Sequence, residues 1–220
     1  MVLQIAGRHP APLRPKIRWL LPVTLLGLIT LLGFEAPAHA SRQRSYDLYL
    51  PIVYVTGMQC SIDALVNGDF EADDLGWDLY TRGTGWKAHD LVGNISEGFS
   101  PYRGQYGARL GGFEGVFDTI EQSIHIPVQG TLTYWWRLGT YEPAPPAHDF
   151  FSVDLYQVDG TQEAHLVGHH DREPEGIWRQ DVIDLSAYQG RTLIVRFSSY
   201  NDNYYFSWFD LDEIHLCSPE

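Results

Sequence analysis

The sequence predicts an all-β protein, a sandwich or a barrel, and two observations carry that prediction. Apolar and aromatic residues alternate with polar ones in several short segments, which is the pattern of half-buried strands. From Cys60 onward, Gly, Pro or Asn punctuates the chain so often that no amphipathic helix of useful length can be drawn. Short strands at regular spacing with turn signals between them are typical of sandwiches and barrels.

Four segments have the clearest strand pattern, and they are residues 130–140, 149–158, 191–199 and 206–216. Weaker strands are expected at 106–110, 117–126, 165–169 and 178–185, with turns at 127–130 and 186–190. We expect the four clear strands to pack in two antiparallel sheets with one face of each in the core. The alternation assigns nine side chains to that core: Leu132, Tyr134, Trp136, Phe151, Val153, Leu155, Leu193, Val195 and Phe197.

Composition excludes several classes of protein. Hydrophobic residues make up 44% of the 220 residues and charged residues only 20%, with 7 Trp, 13 Tyr and 10 Phe. Disordered chains have few aromatics and much charge, and coiled coils are rich in Ala, Glu, Lys and Leu. The net charge of -13 disfavours a nucleic-acid partner, because binding to phosphates needs a surplus of Lys and Arg.

The first 40 residues have the pattern of a signal peptide. Four basic residues and no acid precede an apolar run from Trp19 to Phe34, and Ala38-His39-Ala40 supplies small residues for cleavage after Ala40. The alternative is an uncleaved membrane anchor, for which the run of 16 residues is short. Cleavage would leave 11 Lys and Arg against 27 Asp and Glu, an acidic extracytoplasmic protein without a membrane span.

Behind the predicted cleavage point, residues 41–59 are expected to be a tether or an edge segment, and residues 60–220 the folded domain. The two cysteines, Cys60 and Cys217, lie near the ends of that domain. In an exported protein an even pair predicts a disulfide. Two buried thiols or a metal pair are the alternatives, and neither cysteine has the CxxC spacing of a zinc site.

Several short motifs occur in an order that resembles a known family. Asn67-Gly68-Asp69-Phe70-Glu71 opens the domain, TLTYWW follows Ile126-Pro127, and residues 208–214 (WFDLDEI) close it. This order resembles the jelly-roll carbohydrate-binding modules of the galactose-binding-like superfamily, as in families 4 and 22. It is also similar to the MAM-like domains of secreted bacterial enzymes. The resemblance covers about residues 62–216 and implies a jelly-roll β-sandwich of two antiparallel sheets.

The same resemblance implies a structural calcium ion between the opening segment and the last strand. The matching carboxylates are Glu71 and Asp212, with oxygens near Asn67 or Asp69, while Asp210 and Asp202 fit less well. Calcium takes six to eight oxygen ligands, several of them from carboxylates. The alternative is that these acids are surface charges or accept capping hydrogen bonds.

Aromatic residues outside the predicted core are candidates for sugar binding. Trp135, Arg137 and Tyr156 face away from the core in the predicted registers, and Trp86 and Tyr141 lie in loops. Sugars stack their C–H faces on such rings, and arginine donates hydrogen bonds to their hydroxyls. Large aromatics are usually buried, so four other tryptophans are assigned to the core: Trp77, Trp136, Trp178 and Trp208.

No motif for catalysis is present. The chain lacks G-x-S-x-G, H-E-x-x-H and a Gly-rich phosphate loop. His165 and His169 have the i, i+4 spacing that suits a metal site on a helix, but the segment around them is predicted to be a strand and a turn, so histidines 165, 169 and 170 are interpreted as independent surface residues. The leading hypothesis is therefore an exported, non-catalytic module that binds a polysaccharide or cell-surface glycan. A MAM-like adhesion or protein-interaction domain is the alternative, and a jelly-roll lyase or glycosidase is a third. Exposed aromatics on a concave face favour the first, and a flat apolar patch the second.

Overall fold

The computed structural model describes residues 63–83, 89–143 and 145–218, and all of them belong to one compact unit. They form two five-stranded sheets that pack as a sandwich. The strands are β1 (Asp78–Gly83), β2 (Val92–Asn94), β3 (Tyr106–Gly111), β4 (Val116–His125), β5 (Thr131–Thr140), β6 (Phe150–Tyr156), β7 (Gln162–His170), β8 (Arg179–Asp184), β9 (Thr192–Tyr200) and β10 (Ser207–Cys217). Two short 3₁₀ helices lie at Ile95–Glu97 and Ser186–Tyr188.

The order of the strands shows how the chain passes from one sheet to the other. The front sheet has the order β2-β3-β10-β5-β8 and the back sheet β1-β4-β9-β6-β7, with every neighbouring pair antiparallel. Without the edge strands β1 and β2, four strands remain in each sheet, ordered 3-10-5-8 and 4-9-6-7. This order is that of a jelly roll, in which two Greek keys interlock. The prediction of an antiparallel sandwich is confirmed.

The predicted core is confirmed residue by residue. All nine side chains assigned to it are at most 2% exposed, and Trp135 lies on the outer face of β5. Clear strands β5 and β10 belong to the front sheet, and β6 and β9 to the back sheet. Each buried Leu, Val or Phe contributes about 1.5–3 kcal/mol relative to an exposed one.

The last strand changes register partway along. Phe209 and Leu211 face the core, and so do Ile214 and Leu216, although strict alternation would turn the second pair outward. A bulge between Asp212 and His215 absorbs the shift, with Glu213 in the left-handed region at a φ of 50°. The bulge therefore lets one strand bury both halves of its apolar sequence.

The opening motif packs directly on β10. The N–H of Ile214 donates to the carbonyl of Gly68 at 2.9 Å, and a Cβ on Gly68 would lie 1.7 Å from the Ile214 oxygen. Only glycine permits this approach of two backbones. Phe70 then enters the core and packs on Trp77 at a ring distance of 5.5 Å.

Sequence patterning did not indicate β1 and β2. Residues of β1 are almost all exposed, so the strand shows no alternation of apolar and polar residues. β2 has only three residues. Both are edge strands, held by backbone hydrogen bonds to β4 and β3 rather than by a pattern of buried side chains.

Several predictions for the N-terminal part fall outside the described residues. They are the signal peptide at 1–40, the tether at 41–59 and the thiol of Cys60. Among the described residues, no helix is long and apolar enough to cross a membrane. Asp63, three residues after Cys60 in the sequence, forms an isolated antiparallel bridge with Cys217.

We expect the oxidised chain to contain a Cys60–Cys217 bond. A thiol assay in denaturant should then find no free thiol without reductant and two after reduction. In the chain-entropy model such a long loop contributes up to about 5 kcal/mol, so reduction should lower the urea midpoint. Two reactive thiols in the unreduced chain would contradict the bond.

His215 of β10 forms hydrogen bonds that connect Asp63 to this last strand. Its Nδ1 lies 2.6 Å from Asp63 Oδ2 and its Nε2 lies 3.2 Å from Glu213 Oε2. The hydrogen bond with Asp63, and then that with Glu213, raise the pKa of His215 to about 8. Because the folded-state pKa exceeds the ordinary 6.5, this contact stabilises the fold below about pH 6.5 and is lost as pH rises through about 8.

His215→Gln should therefore remove part of the pH dependence of stability. Urea midpoints at about pH 6 and about pH 9 should differ less in this variant than in the natural chain. His125→Gln is the control, because His125 contacts only the hydroxyl of Thr192 among its polar neighbours in the described part of the chain. An unchanged drop between the two pH values in His215→Gln would refute the assignment.

Candidate functional site

Three charged side chains form a row across the outer face of the front sheet. Arg109 of β3 lies opposite Asp210 of β10, which lies opposite Arg137 of β5. Arg109 Nε donates to Asp210 Oδ1 at 2.7 Å, and Arg137 Nη2 donates to Asp210 Oδ2 at 2.6 Å. The carboxylate is 2% exposed, while the two arginine side chains are about a quarter exposed.

This row holds two guanidinium groups in fixed positions. A buried carboxylate requires partners, and here each oxygen receives a charge-assisted hydrogen bond. Carbonyls of the loop before β3 accept further bonds, from Arg109 to Gly98 and from Arg137 to Ser100. A guanidinium has five N–H donors, so both arginines keep donors for a bound molecule.

Trp208 lies beside this row, two residues before Asp210 on the same strand. It is opposite both Gly111 and Gly139, and its ring lies over Gly139. A Cβ at Gly139 would lie 2.1 Å from the indole, so a larger residue there would displace the ring. Trp208 is half-buried, with the guanidinium of Arg109 5.7 Å from its centroid.

Two adjoining cavities open on this face. The larger, about 470 Å³, is lined by aromatic rings and by charged groups of both signs, including Phe99, Phe206, Tyr141, Asp90, Glu97 and Arg109. The smaller, about 370 Å³, is lined by Arg137, Gly139 and Glu175 among others. Arg109 and Trp208 line both cavities, so they form the boundary between them. Tyr141 packs edge-on against Phe206 at 5.1 Å and remains 63% exposed.

Trp135 lies on the same outer face, but another ring covers it. Tyr102 stacks on it with centroids 4.0 Å apart and planes 10° apart. Trp178 meets the edge of Tyr102, and the Arg137 guanidinium lies 4.9 Å from the Trp178 ring. The outer surface of this cluster is therefore formed by Tyr102 and Trp178 as well as by Trp135.

The other predicted sugar-binding residues are dispersed. Tyr156 belongs to β6 of the back sheet, beneath the guanidinium of Arg196 at 4.0 Å, which also pairs with Glu121. Trp86 lies outside the described residues. Arg137 and Tyr141 thus line the two cavities, Trp135 lies on the same face, and Tyr156 lies on the other sheet.

The carboxylates of Glu71 and Asp212 both accept backbone hydrogen bonds from the loop at residues 103–106. Glu71 Oε1 accepts the N–H groups of Gln105 and Tyr106, and Asp212 Oδ2 accepts that of Arg103 at 2.8 Å. Burial raises the pKa of Asp212 to about 6, against the lowering effect of the backbone amides that it accepts.

The other predicted calcium ligands organise the turn that precedes this loop. Asn67 Oδ1 accepts the N–H of Ala72, and its amide nitrogen donates to the carbonyls of Asp73 and Leu75. Asp69 Oδ1 accepts the N–H of Glu71 at 3.4 Å. Their side chains thus stabilise a turn, and their backbone oxygens remain the atoms that the resemblance nominates.

A separate acidic group lies at one end of the sandwich. Glu142, Asp149 and Asp171 place one carboxylate oxygen each within 4.8 Å of the others, close enough to hold a metal ion. The sequence gives little sign of this group, because its members come from three segments that are separated along the chain. Asp202, one of the weaker calcium candidates, donates its backbone N–H to Asp149 in the same place.

The histidines of β7 pair with different acids. His165 contacts Asp154 at 2.8 Å, and His169 contacts Asp181 at 2.7 Å and stacks on Trp136. These contacts lie on separate carboxylates, in keeping with histidines that act independently.

Assignment of Trp178 and Trp208 to the core is wrong, since both are only partly buried on the front sheet, whereas Trp77 and Trp136 are buried. Alternation along β10 contained the missing signal. If Phe209 and Leu211 face inward, Trp208 and Asp210 must face outward. The sequence predicts a strand around Arg109 but indicates no role for this residue. Pairing between β3 and β10 places it opposite Asp210.

Comparisons with known proteins find similar solved structures and no matching family. No family model matches the sequence, and no curated protein matches it. Similar solved structures include TmCBM61 in complex with β-1,4-galactotriose, with 14% identity, 73% of this chain and 100% of that chain covered, and a TM-score of 0.49. The K1 cleaved adhesin domain of Lys-gingipain from Porphyromonas gingivalis W83 has 20% identity, coverage of 66% and 92%, and a TM-score of 0.46.

A third similar structure is the enzymatically active domain of tailspike protein 4 of bacteriophage CBA120, with 14% identity, coverage of 71% and 21%, and a TM-score of 0.46. These three similar structures are a protein in complex with an oligosaccharide, an adhesin domain and an enzyme domain, and the function of this chain depends on its own site. None of these three structures tests the narrower resemblance to families 4 and 22, which stays a prediction. TmCBM61, the K1 adhesin domain and the tailspike domain are thus solved structures to which this chain is similar.

Proposed function

We propose that this chain is an exported, non-catalytic module that binds carbohydrate on the outer face of its front sheet. The observation that carries the proposal is the Arg109–Asp210–Arg137 row beside Trp208. The row offers fixed hydrogen-bond donors next to a partly exposed ring, which are the two kinds of group a pyranose engages. Binding sites usually combine apolar walls with a few fixed polar groups in this way.

The chemistry of the larger cavity supports a hydroxylated ligand. Arg109 supplies donors there, while the carboxylates of Asp90 and Glu97 supply acceptors. A sugar hydroxyl both donates and accepts, so it can bond to either type of group. Phe206 and Tyr141 add apolar surface for the C–H groups of the ring.

The N-terminal sequence supports export, because it combines basic residues, an apolar run and an A-x-A motif. N-terminal sequencing of the mature protein tests this part of the proposal. A start at Ser41 is expected, and a chain that retains Met1 in the membrane fraction would contradict cleavage.

A protein-interaction domain is a second candidate, favoured by the outer face of the back sheet. Phe117, Tyr200 and Phe150 are cross-strand neighbours on β4, β9 and β6. They are 37%, 52% and 46% exposed, and together form an exposed aromatic patch. Exposed apolar patches often mark partner surfaces. Phe150→Ser should abolish adhesion to cells or proteins if this patch is used, and leave glycan binding unchanged.

Substitution of Trp208 by Ala should weaken glycan binding. Loss of one buried aromatic contact costs about 1.5–3 kcal/mol, so we expect affinity to fall by about tenfold to a hundredfold. Tyr141→Ala should weaken it as well, since Tyr141 lines the same cavity. A glycan array finds the ligand, and titration calorimetry of the selected oligosaccharide measures the change.

Tyr156→Ala is the matched control, because Tyr156 lies on the back sheet. Equal affinities for Trp208→Ala and the natural chain would overturn the proposed face. Incubation of the chain with the selected oligosaccharide, followed by chromatography, tests whether the module is non-catalytic. Cleavage products in the chromatogram would favour the lyase or glycosidase hypothesis.

We also propose that Glu71 and Asp212 hold the calcium ion that the sequence resemblance implies. Their carboxylates approach one loop from the opening motif and from β10, and oxygen donors suit this cation. The amides of residues 103, 105 and 106 occupy part of their hydrogen-bonding capacity, so backbone carbonyls or Glu71 Oε2 must supply the further ligands. An ion there would stabilise the ionised form of buried Asp212 and join the opening motif to the last strand.

Asp212→Asn should reduce the calcium dependence of thermal stability and leave the fold intact. The natural chain should have a higher melting temperature in millimolar calcium than in EDTA, because a ligand that binds only the folded state stabilises it. In the variant the gap between the two midpoints should narrow. An equal gap in both chains would contradict the role of Asp212.

A further inference from the structure

Loops from both sheets bring three acids together at one end of the sandwich. Glu142 follows the last residue of β5 by two, Asp149 precedes β6, and Asp171 follows β7. One carboxylate oxygen of each lies within 4.8 Å of the others. The side chain of Glu142 is 2% exposed, and Asp149 and Asp171 are 0% and 2% exposed. Such burial is rare for acids without partners.

Each acid has an oxygen that accepts no hydrogen bond within the described part of the chain. Asp149 Oδ1 accepts the N–H of Asp202 at 3.0 Å, and Asp171 Oδ2 accepts the N–H of His148 at 3.1 Å. Glu142 Oε1, Asp149 Oδ2 and Asp171 Oδ1 are buried without a hydrogen-bond partner among the described residues. Buried polar atoms of this kind call for an unseen partner, either a water or an ion.

The charges in this cluster do not balance. The guanidinium of Arg172 lies near the three carboxylates, at 3.4 Å from Asp171 and 3.7 Å from Glu142. His148 Nδ1 lies 3.7 Å from Glu142 Oε2. With His148 neutral, the formal excess among these five groups is two negative charges. Burial raises the pKa of Asp149 to about 6, with a smaller contribution from repulsion by Glu142 and Asp171, while hydrogen bonds with Ser207 and Asp202 lower it.

We infer that Glu142, Asp149 and Asp171 bind one divalent cation, and that calcium fits best. All three side-chain donors are oxygens, which hard cations prefer, whereas zinc sites use Cys and His. Three oxygens that lie within 4.8 Å of one another can all contact one ion at calcium–oxygen distances of about 2.3–2.6 Å. Magnesium needs a smaller, more regular octahedron and gives up its waters reluctantly.

An ion in this position would fasten the two sheets to each other. Glu142 leaves β5 of the front sheet, whereas Asp149 enters β6 and Asp171 leaves β7 of the back sheet. The site is separate from Glu71 and Asp212, whose contacts are with residues 103–106. It also does not depend on whether the chain binds a glycan.

Calcium bound per chain, counted by equilibrium dialysis and elemental analysis, tests the inference. The metal-free full-length mature chain is compared with Glu142→Gln and Asp149→Asn. Each variant should lose one bound ion, or bind it at least about tenfold more weakly, because ligand charge sets calcium affinity. Both substitutions keep the shape of the side chain, and in Asp149→Asn the new amide oxygen can still accept the N–H of Asp202.

Two controls separate this site from other effects. Glu114→Gln removes an exposed carboxylate and should leave the count unchanged. Asp212→Asn alters the other proposed calcium site and should retain the ion bound here. The inference is overturned if Glu142→Gln and Asp149→Asn bind as much calcium, as tightly, as the natural chain.

A natural chain that binds no calcium would also overturn it.

Discussion

The bulge in β10 is the constraint on which the rest of the molecule depends. β10 lies between β3 and β5 in the front sheet, and it carries apolar side chains on both sides of the bulge at Glu213. Before the bulge, Asp210 and Trp208 face outward to the proposed binding face. After it, Ile214 donates its N–H to the carbonyl of Gly68, and Leu216 donates its N–H to the carboxylate of Asp63. Without the change of register, either the core or the outer face would lose its residues.

Three buried acids of the sandwich show three ways to accommodate a negative charge. Asp210 receives hydrogen bonds from two arginines, which balance its charge directly. Asp212 receives backbone amides near the bulge, and burial raises its pKa to about 6. Asp149 receives the amide of Asp202 and faces two further acids, with a pKa also near 6. The first arrangement is complete without a ligand, whereas the other two leave charge that a cation would offset.

Alternation of side chains was sufficient to predict the core of β5, β6 and β9, because each of these strands buries one face more deeply than the other. It failed for β1, whose residues are exposed on both faces. The tryptophans were misassigned for another reason, because size alone assigned Trp208 to the core, whereas alternation with its buried neighbours Ser207 and Phe209 turns it outward. Register along the strand was the better guide.

Prediction of the sites was limited for a different reason. Arg109, Arg137 and Asp210 meet only because β10 inserts between β3 and β5, a pairing that no local pattern in the sequence specifies. The same holds for the acidic cluster, whose members lie near the ends of strands in both sheets. Sequence spacing can indicate ligands on one strand or helix, but long-range contacts of this kind require the topology.

The acidic cluster and the proposed binding face are joined through the chain itself. Tyr141 and Phe206 line the larger cavity, and the residues that directly follow them are Glu142 of the cluster and Ser207. Ser207 donates its hydroxyl to Thr140, which in turn accepts the N–H of Glu142, so both aromatic residues are held by the same short network. A group that holds Glu142 in place would therefore also help to hold the rings of Tyr141 and Phe206 at one end of the larger cavity. An ion at the cluster would reduce the motion of Tyr141 and Phe206, and so lower the entropy lost when a ligand settles between them.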